Sequence, residues 1–331
     1  MKFFKKLITL ILVVVIFICY SPSLVERAYQ YLDHNSEEQV VKQNIEKNKI
    51  EGKSVDNFSK IQIGDSEETL INSVGEPARV DKSGYSFDWY VYNQYGQKFC
   101  MVGIEDNKVV AMYSNSINSV EFPKLKLGEQ RHIARNIYSP LKYLPKGYTN
   151  YTIASKDQYD VIEVDGKYIT VFYDIYEGDI ICSYQIVEKE VEDKTPIYHA
   201  ESDVLRKSYE LEIMDLTNSV RMKRGLKSLQ YSEKATLSSR RHCEDMRDKN
   251  YFDHVDRDGR GPADRMKEEG IVYYLAGENI AAGQFSAIYA HEGWMDSEGH
   301  RKNILGDYKY IGVGTVFGGS YSMYYGQNFY R

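Results

Sequence analysis

The chain begins with an apolar stretch over residues 7–20 that is interrupted only by Thr9 and preceded by Lys2, Lys5 and Lys6. A positive start followed by an apolar run is typical of an export signal. The run is shorter than the roughly 20 apolar residues that span a bilayer comfortably, and no Ala-x-Ala-like cleavage site follows it. We therefore predict an uncleaved signal anchor over residues 1–25, with a cleaved signal peptide as the alternative. Both interpretations place the rest of the chain outside the cell, because the lysines stay inside.

Residues 26–57 are mostly polar and charged, with apolar positions at Val40, Val41, Ile45 and Ile50. This pattern favours a helical or flexible stalk that separates the folded part of the chain from the membrane. Plain disorder is the alternative interpretation.

Residues 58–190 contain an internal repeat. The segment 60–65 (KIQIGD) matches 124–129 (KLKLGE), and the turn at 106–110 (DNKVV) resembles the one at 177–181 (EGDII). The separation between the copies grows from 64 to 71 residues, so the second copy is longer. Each opening precedes a short helix-like stretch and then Tyr-rich, β-branched strands. We predict two similar α+β units packed as one domain, with no catalytic set among their residues.

Residues 191–203 are charged and contain a proline, which indicates a linker to a last domain over 204–331. Apolar positions at helical spacing predict a first helix over about 204–224, ended by Gly225. Further helices are predicted over about 232–249 and 285–296. Strict alternation on both sides of Gly318 and Gly319 predicts a C-terminal hairpin. The fold class is α+β.

The composition is that of a globular protein, with 42% hydrophobic and 27% charged residues. A formal net charge of -6 argues against a nucleic-acid partner, because phosphate binding needs a basic surface. The cysteines Cys19, Cys100, Cys182 and Cys243 lack the dense spacing of a disulfide scaffold and form no CxxC pair. Whether Cys100 pairs with Cys182 is left open.

The candidate chemistry lies in the last domain, at His254, Glu278 and His300. Their spacing is too wide and too unequal for one helix or strand, so only a folded domain can bring them together. Imidazole and carboxylate groups are the ones that proteins use for metal binding or for proton transfer near neutral pH.

The motifs around these residues carry a family resemblance that extends over residues 204–331. In chain order they are Asn218 with Arg221, His242 with Asp245 and Met246, Phe252 with His254, 277–281 (GENIA), Trp294, 297–305 (SEGHRKNIL), 310–314 (YIGVG) and 327–329 (QNF). Together they resemble a bacterial member of the CAP superfamily, named after cysteine-rich secretory proteins, antigen 5 and pathogenesis-related 1. The N-terminal half resembles, more loosely, the CAP-associated domain that precedes such modules in exported Gram-positive proteins.

The resemblance implies a three-layer α-β-α sandwich with a cavity lined by two histidines and two acids. His254, Glu278 and His300 match three of these positions, and Asn279 lies beside them. The fourth position, a glutamate three residues after the tryptophan in the family, is Ser297 here. Glu298 or Glu292 would then have to supply the missing acid. Asn279 and Ser297 are predicted to line the cavity and bind its ligand together with the other three residues.

Each candidate also has a structural interpretation. Ser297 is expected to be a helix N-cap, Asn279 to support the loop backbone, and Glu278 to be an acid near a helix dipole. His254 could cap its own turn and His300 could be structural, but both are predicted to line the cavity. His242 and Asp245 are expected to be packing or surface residues. His291 with Glu292 does not start a zinc-protease motif, because that motif needs a second histidine at Met295.

Two imidazoles with a carboxylate favour Zn²⁺ or another divalent transition metal over ions that prefer oxygen ligands. His254 and His300, with Glu278, are therefore the predicted metal ligands. We favour an exported, membrane-anchored surface protein that acts as a binding or signalling module. The resemblance implies a lipid or protein ligand, and the membrane is a partner through the anchor.

The alternative is a metal-assisted hydrolase, a peptidase or cell-wall enzyme that uses His254, Glu278 and His300. The sequence shows no convincing set of nucleophile, base and orienting residue, so a binding role is preferred, although the question of an enzyme stays open. The sequence also leaves open the ligand, the oligomeric state and whether the N-terminal domain covers the cavity.

Overall fold

A computed structural model describes residues 55–95, 98–146, 148–197 and 201–331. The predicted anchor over 1–25 and the predicted stalk as far as residue 54 lie outside these residues. Within the described part of the chain, every helix is too short or too polar to cross a membrane. Residues 54–331 form one compact unit, which opens with a 3₁₀ helix over Val55–Lys60.

The N-terminal half of this unit contains nine strands and three helices among its described residues. The strands are β1 (Arg79–Lys82), β2 (Asp88–Gln94), β3 (Lys98–Glu105), β4 (Lys108–Ser114), β5 (Tyr143–Lys146), β6 (Thr149–Thr152), β7 (Tyr159–Val164), β8 (Lys167–Asp174) and β9 (Ile180–Glu188), and the helices are α1 (Glu67–Val74), α2 (Arg131–Ile137) and α3 (Lys189–Lys194). Seven strands form an antiparallel sheet in the order β1-β2-β3-β4-β9-β8-β7, and β5 pairs with β6 in a separate hairpin.

The two copies of the repeat meet where β4 pairs with β9, and both copies open with the same contact. The Gly64 N–H donates to the Val109 carbonyl at 2.8 Å, and the Gly128 N–H donates to the Ile181 carbonyl at 2.8 Å. Both glycines have a positive φ, 93° and 91°, which a residue without a side chain adopts readily. The similar sequences therefore form similar local structures.

The copies differ at one turn. In the first copy, β3 and β4 are joined tightly through Asp106 and Asn107, both with positive φ. In the second copy, β8 and β9 are separated by residues 175–179. Part of the extra length of the second copy lies in this longer turn, which extends from the end of the sheet.

The large sheet has a hydrophobic core on each face. The core that contains Cys100 lies under the 3₁₀ helix, α1 and α2, while Cys182 lies in the core on the opposite face. The two sulfurs cannot meet through the sheet, and Cys100, Cys182 and Cys243 are all free. The core of this half therefore depends on packing rather than on a disulfide.

The C-terminal half alternates helices and strands. They are α4 (Asp203–Lys223), β10 (Gln230–Tyr231), α5 (Glu233–Asp248), α6 (Pro262–Glu268), β11 (Ala276–Ala282), α7 (Ala287–Met295), α8 (Glu298–Ile304), β12 (Tyr310–Phe317) and β13 (Met323–Tyr330). The three helices predicted from the sequence are confirmed, with bounds that differ by at most two residues, and the predicted hairpin is confirmed as well. The predicted linker is irregular only in part, because residues 191–194 belong to α3.

These elements form three layers. The middle layer is a four-stranded sheet with the order β10-β12-β13-β11, and helices form the layer on each side. Helix α5 packs on one face, where glycines allow it to come close: a Cβ on Gly312 would lie 2.1 Å from the Thr236 nitrogen, and one on Gly314 would lie 2.3 Å from the Arg240 nitrogen. Helices α4, α7 and α8 cover the other face. The predicted α-β-α sandwich is confirmed.

The two halves of the unit pack directly against each other. Leu216 of α4 and Ile288 of α7 belong to the same buried cluster as Phe87, Trp89 and Tyr113 of the large sheet. The outer surfaces of α4 and α7 are thus covered by the N-terminal half. The side chain of His254 is still 47% exposed, so the N-terminal half leaves this candidate residue open to solvent.

Candidate functional site

Glu278 is the buried acid of the candidate site. It lies within β11, and its side chain is 1% exposed. Its Oε1 accepts a hydrogen bond from His254 Nδ1 at 2.9 Å, and its Oε2 accepts one from Arg265 Nη2 at 2.7 Å. The Asn328 amide on the neighbouring strand, turned to donate, lies 3.1 Å from Oε2. Both carboxylate oxygens are therefore already paired with donors.

His254 lies in the loop between α5 and α6. Its hydrogen bond to Glu278 raises the pKa of its imidazole above the ordinary value, because the carboxylate favours the charged ring. This contact also fixes the tautomer, since Nδ1 must carry a proton in order to donate to Glu278. The structure thus brings together two of the three residues that the sequence analysis selected.

The loop that carries His254 is held from two sides. Buried His242 donates from Nε2 to the Asp253 carbonyl at 2.9 Å, because a carbonyl oxygen can only accept, and burial lowers the pKa of the ring. Arg265 Nη1 donates to the carbonyls of His254 at 3.0 Å and Arg260 at 2.8 Å. Arg265 therefore links the backbone of one candidate residue to the carboxylate of another.

Arg265 is a residue of the site that could not be predicted from the sequence. An arginine in a short polar helix after Pro262 has the pattern of a surface residue, and only the fold shows that it is 6% exposed. The one available signal was that Glu278, if buried, would need a cationic partner, since a buried charge is unstable without one. The sequence alone could not say which of the surrounding basic residues supplies it.

His300 lies in α8 and pairs with Ser297. The distance between His300 Nδ1 and Ser297 Oγ is 2.9 Å. Ser297 occupies the N-cap position of α8, as predicted, but its side chain makes no capping hydrogen bond. The predicted N-cap position is therefore confirmed, but the hydroxyl contacts the His300 ring instead of the helix backbone.

The two candidate histidines influence each other. Burial lowers the pKa of His300, and the charge of His254 lowers it further. The pKa of His254 is shifted in the opposite direction. The site therefore combines an imidazole that favours the charged state with one that favours the neutral state.

Asn279 joins the elements that carry the site. Its Nδ2 donates to the His300 carbonyl at 3.2 Å and to Gln327 Oε1 at 2.9 Å, and its Oδ1 accepts from Asn303 Nδ2 at 2.9 Å. The side chain is fully buried. Asn279 thus connects β11, β13 and α8, which agrees with a supporting role rather than a reacting one.

Glu292 does not replace the family's fourth acid at this site. Its Oε1 accepts hydrogen bonds from Tyr113 at 2.9 Å and from Ser183 at 2.5 Å, both in the N-terminal half. Burial raises the pKa of its carboxyl group. Glu298, the other sequence candidate, is exposed on α8. Because its hydrogen-bond partners Tyr113 and Ser183 lie in the N-terminal half, Glu292 belongs to the contact between the two halves.

The donors around Glu278 do not fit a metal ion in this arrangement. A cation would have to displace the Arg265 guanidinium from one carboxylate oxygen and the His254 proton from the other. Ser297 supplies a neutral hydroxyl where the family has an acid. Among the described residues, no three His, Cys, Asp or Glu side chains are grouped so that they could hold a metal. The predicted metal stays a prediction, and no chemical step is assigned to it.

The arrangement also separates the groups that a serine hydrolase would combine. Ser297 is paired with His300, whereas Glu278 is paired with His254. A nucleophile, base and orienting acid would have to lie in one line of hydrogen bonds. In this geometry Glu278 orients His254, whereas the histidine that contacts Ser297 is His300.

The three-layer sandwich, with the His254–Glu278 pair on one side of the site and the His300–Ser297 pair on the other, is the arrangement expected of a CAP domain. The family model described as CAP-associated N-terminal matches residues 63–198. The model described as cysteine-rich secretory protein family matches residues 214–329. The chain therefore belongs to the CAP superfamily and carries a CAP-associated domain before its CAP domain.

Three of the similar proteins come from Bacillus species. The chain is 29% identical over 293 residues to the uncharacterized membrane protein YlbC of Bacillus subtilis (strain 168), covering 81% of this chain and 82% of the relative. It is 50% identical over 114 residues to the uncharacterized protein YkwD of the same organism, covering 34% of this chain and 44% of the relative. An extracellular protein containing an SCP domain from Bacillus anthracis str. Ames has a solved structure with a TM-score of 0.71 and 26% identity, covering 81% of this chain and 93% of that one.

Proposed function

We propose that this CAP-domain protein is exported, anchored to the membrane by its N-terminus, and acts at the cell surface as a binding or signalling module. The observation that carries the proposal is the pairing of Glu278 with Arg265 and His254. Both carboxylate oxygens accept hydrogen bonds from these residues, so the acid supports the site and is not free to act as a base. A partly exposed His254 imidazole on an acid already paired with Arg265, and a His300 imidazole paired with a neutral hydroxyl, suit recognition of a lipid or protein group. The location is supported by the relative named as a membrane protein and by the solved relative described as extracellular.

A binding assay tests this proposal without knowledge of the natural ligand. The full-length chain is sedimented with purified cell-wall sacculi and, separately, with phosphatidylglycerol vesicles. The His254→Ala/His300→Ala variant is compared with His132→Ala, which changes an exposed histidine of α2 in the other domain. The anchor contributes equally to all samples, so only the difference between the variants is interpreted.

We expect the double variant to be retained less than the wild type on one of the two surfaces, above the retention that the anchor gives to all three proteins, while His132→Ala behaves as the wild type. Equal retention of all three proteins on both surfaces would contradict a role of this site in binding either surface. The two surfaces separate a wall ligand from a membrane ligand. Protease accessibility of the chain on intact cells tests the location independently.

Hydrolysis is the second candidate, because Ser297 Oγ lies 2.9 Å from Nδ1 of His300, an imidazole whose pKa is lowered by burial. Peptide, peptidoglycan and lipid-ester substrates are incubated with the wild type, Ser297→Ala and Glu278→Gln. Turnover that disappears in both variants would favour an enzyme and argue against a pure binding module. Turnover that survives both would come from a contaminant or from another site.

A further inference from the structure

The long β8–β9 turn of the CAP-associated domain contacts the helix that carries His300. Arg301, the residue after His300, donates to Asp174 Oδ2 at 2.9 Å and to Glu177 Oε1 at 2.9 Å. Its guanidinium also lies 5.5 Å from the centre of the Tyr176 ring. The short β3–β4 turn of the first copy has only Asp106 and Asn107 at its tip. Asp174 is the last residue of β8, whereas Tyr176 and Glu177 lie in the longer turn of the second copy and have no counterpart in the two-residue turn of the first.

The same two acids also bind the end of helix α4. Arg224 Nη2 donates to Asp174 Oδ2 at 2.9 Å and to Glu177 Oε1 at 2.8 Å. Two guanidinium groups thus share two carboxylates, and the side chain of Asp174 is only 3% exposed. Charge-assisted hydrogen bonds of this kind are strong and directional, so the group fixes the position of the turn on the CAP domain.

Helix α8 is consequently held from opposite sides. Toward the site, Asn303 Nδ2 donates to the Glu278 carbonyl at 3.0 Å and Asn279 donates to the His300 carbonyl. Toward the CAP-associated domain, Arg301 binds Asp174 and Glu177. The helix has only seven residues, so a shift of one end moves the His300 ring with it. His254 has a separate set of supports in Arg265 and His242.

We propose that Asp174 and Glu177 of the CAP-associated domain are positioning residues for His300, so that the candidate site is assembled by both domains. The CAP-associated domain then acts as part of the binding site rather than only as a separate docking surface. By reciprocity, a ligand that displaces His300 also changes the contact between the domains. The proposal rests on the proposed function for the use of the site, but the placement of His300 can be tested without any ligand.

The test measures the reactivity of the individual histidines. The purified full-length chain is treated with diethyl pyrocarbonate, which modifies imidazole nitrogen, and the rates at His254 and His300 are followed by peptide mass spectrometry. The variant Asp174→Asn/Glu177→Gln removes both carboxylates. Asp157→Asn is the matched control, because it breaks an exposed ion pair with Arg135 in the same domain, away from α8.

We expect a several-fold change in the rate at His300 in the double variant, with little change at His254 and none at either residue in Asp157→Asn. Glu177→Asp, which keeps the charge, should restore most of the wild-type rate relative to Glu177→Gln. A rate at His300 that stays at the wild-type value in folded Asp174→Asn/Glu177→Gln would overturn the proposal. Equal changes at His254 and His300 would also overturn it, because they would indicate a general loosening of the domain.

Glu177→Gln alone keeps the test decisive if the double variant does not fold, since the Glu177 side chain is 44% exposed and is expected to be tolerated. Equal retention of all three proteins in the sedimentation assay, together with the expected change in the rate at His300, would reject the proposed function and leave this proposal intact. The reverse combination would reject only the role of the CAP-associated domain.

Discussion

Arg265 Nη2 lies 2.7 Å from Glu278 Oε2, and both side chains are almost completely withdrawn from solvent. The same guanidinium binds the backbone carbonyl of His254. One buried ion pair therefore connects the sheet, helix α6 and the loop that carries a candidate ligand-binding residue. This arrangement makes Glu278 as much a structural group as a chemical one.

Arg265→Gln should destabilise the fold strongly, because it leaves the Glu278 carboxylate buried without its cation. Removing one partner of a buried ion pair typically costs about 3–5 kcal/mol. The control is Arg241→Gln, whose ion pair with Glu269 has a 55% exposed arginine and is expected to contribute about 0–1 kcal/mol. Urea unfolding of the three proteins measures the difference. Similar losses in both variants would show that Glu278 does not depend on Arg265.

The hydrogen bond between His254 and Glu278 should stabilise the protein at low pH. The pKa of His254 in the folded state lies above its ordinary value of 6.5, so the folded state binds the proton more tightly than the unfolded state. The stabilisation is complete below about pH 6.5 and is lost as the pH rises through the raised pKa. Because the ring is half exposed, the effect should be about 1 kcal/mol or less.

The measurement is the difference in unfolding free energy between the wild type and His254→Gln across this pH range. We expect the difference to shrink as the pH rises. A difference that grows with pH would mean that the neutral ring is the favoured partner of Glu278.

The C-terminal fold could be predicted because its signals are local. The apolar stripe of α4, the glycine after it and the alternation on both sides of Gly318 each follow from short-range sequence patterns. The motif order around Trp294 then implied the three layers. The contact between the two domains could not be predicted, because Leu216 and Ile288 look like ordinary core residues of their own helices.

The candidate residues of the site could be predicted from the sequence, but their hydrogen-bond partners could not. His254, Glu278 and His300 were selected by their motifs, but their hydrogen-bond partners depend on side-chain directions that only packing decides. Ser297 illustrates this limit, because an N-cap position usually implies a cap, yet its hydroxyl binds the His300 ring. Arg265 is a second example, because a single sequence does not show which of its charged residues are buried.

Asp296, at the contact between the domains, should lower stability as the pH rises. Burial and the neighbouring Glu292 carboxylate raise the pKa of Asp296 to about 8, far above the value of 3.8 expected in the unfolded chain. The folded state therefore retains a proton that the unfolded state releases, and stability falls between about pH 4 and pH 8. Asp296→Asn should become progressively more stable than the wild type over that range.

Thermal unfolding of both proteins at several pH values measures this effect, with Asp307→Asn as a control, because the Asp307 side chain is 84% exposed. A constant difference between Asp296→Asn and the wild type at all pH values would show that the carboxyl group does not titrate in this way.

Gly312→Ala should destabilise the CAP domain, whereas Gly293→Ala should not. A Cβ at residue 312 would lie 2.1 Å from the Thr236 nitrogen, so α5 would have to move away from the sheet. Overpacking of this kind costs about 1–3 kcal/mol. Gly293 lies within α7, and a Cβ added there would meet no atom within 4 Å, so alanine should add about 0.5–1 kcal/mol. Opposite shifts in the midpoint of urea unfolding are the expected result.

Zinc binding should be weak in the wild type and stronger in Ser297→Glu. In the wild type, a cation competes with Arg265 and with the His254 proton for Glu278, and Ser297 provides no charge. A glutamate at 297 restores the acid that the family has three residues after its tryptophan. Partners around a metal site typically change affinity by about 10–100-fold, so a gain of roughly tenfold or more is expected in calorimetric titration of the full-length chain.

The His254→Ala/His300→Ala changes provide the control in both backgrounds. They should abolish the zinc binding that Ser297→Glu gains, because the two imidazoles are the remaining nitrogen donors. Tight binding by the wild type that equals the Ser297→Glu variant would refute the competition by Arg265 and support the metal predicted from the sequence. Binding that persists in the double-alanine variants would place the ion elsewhere on the protein.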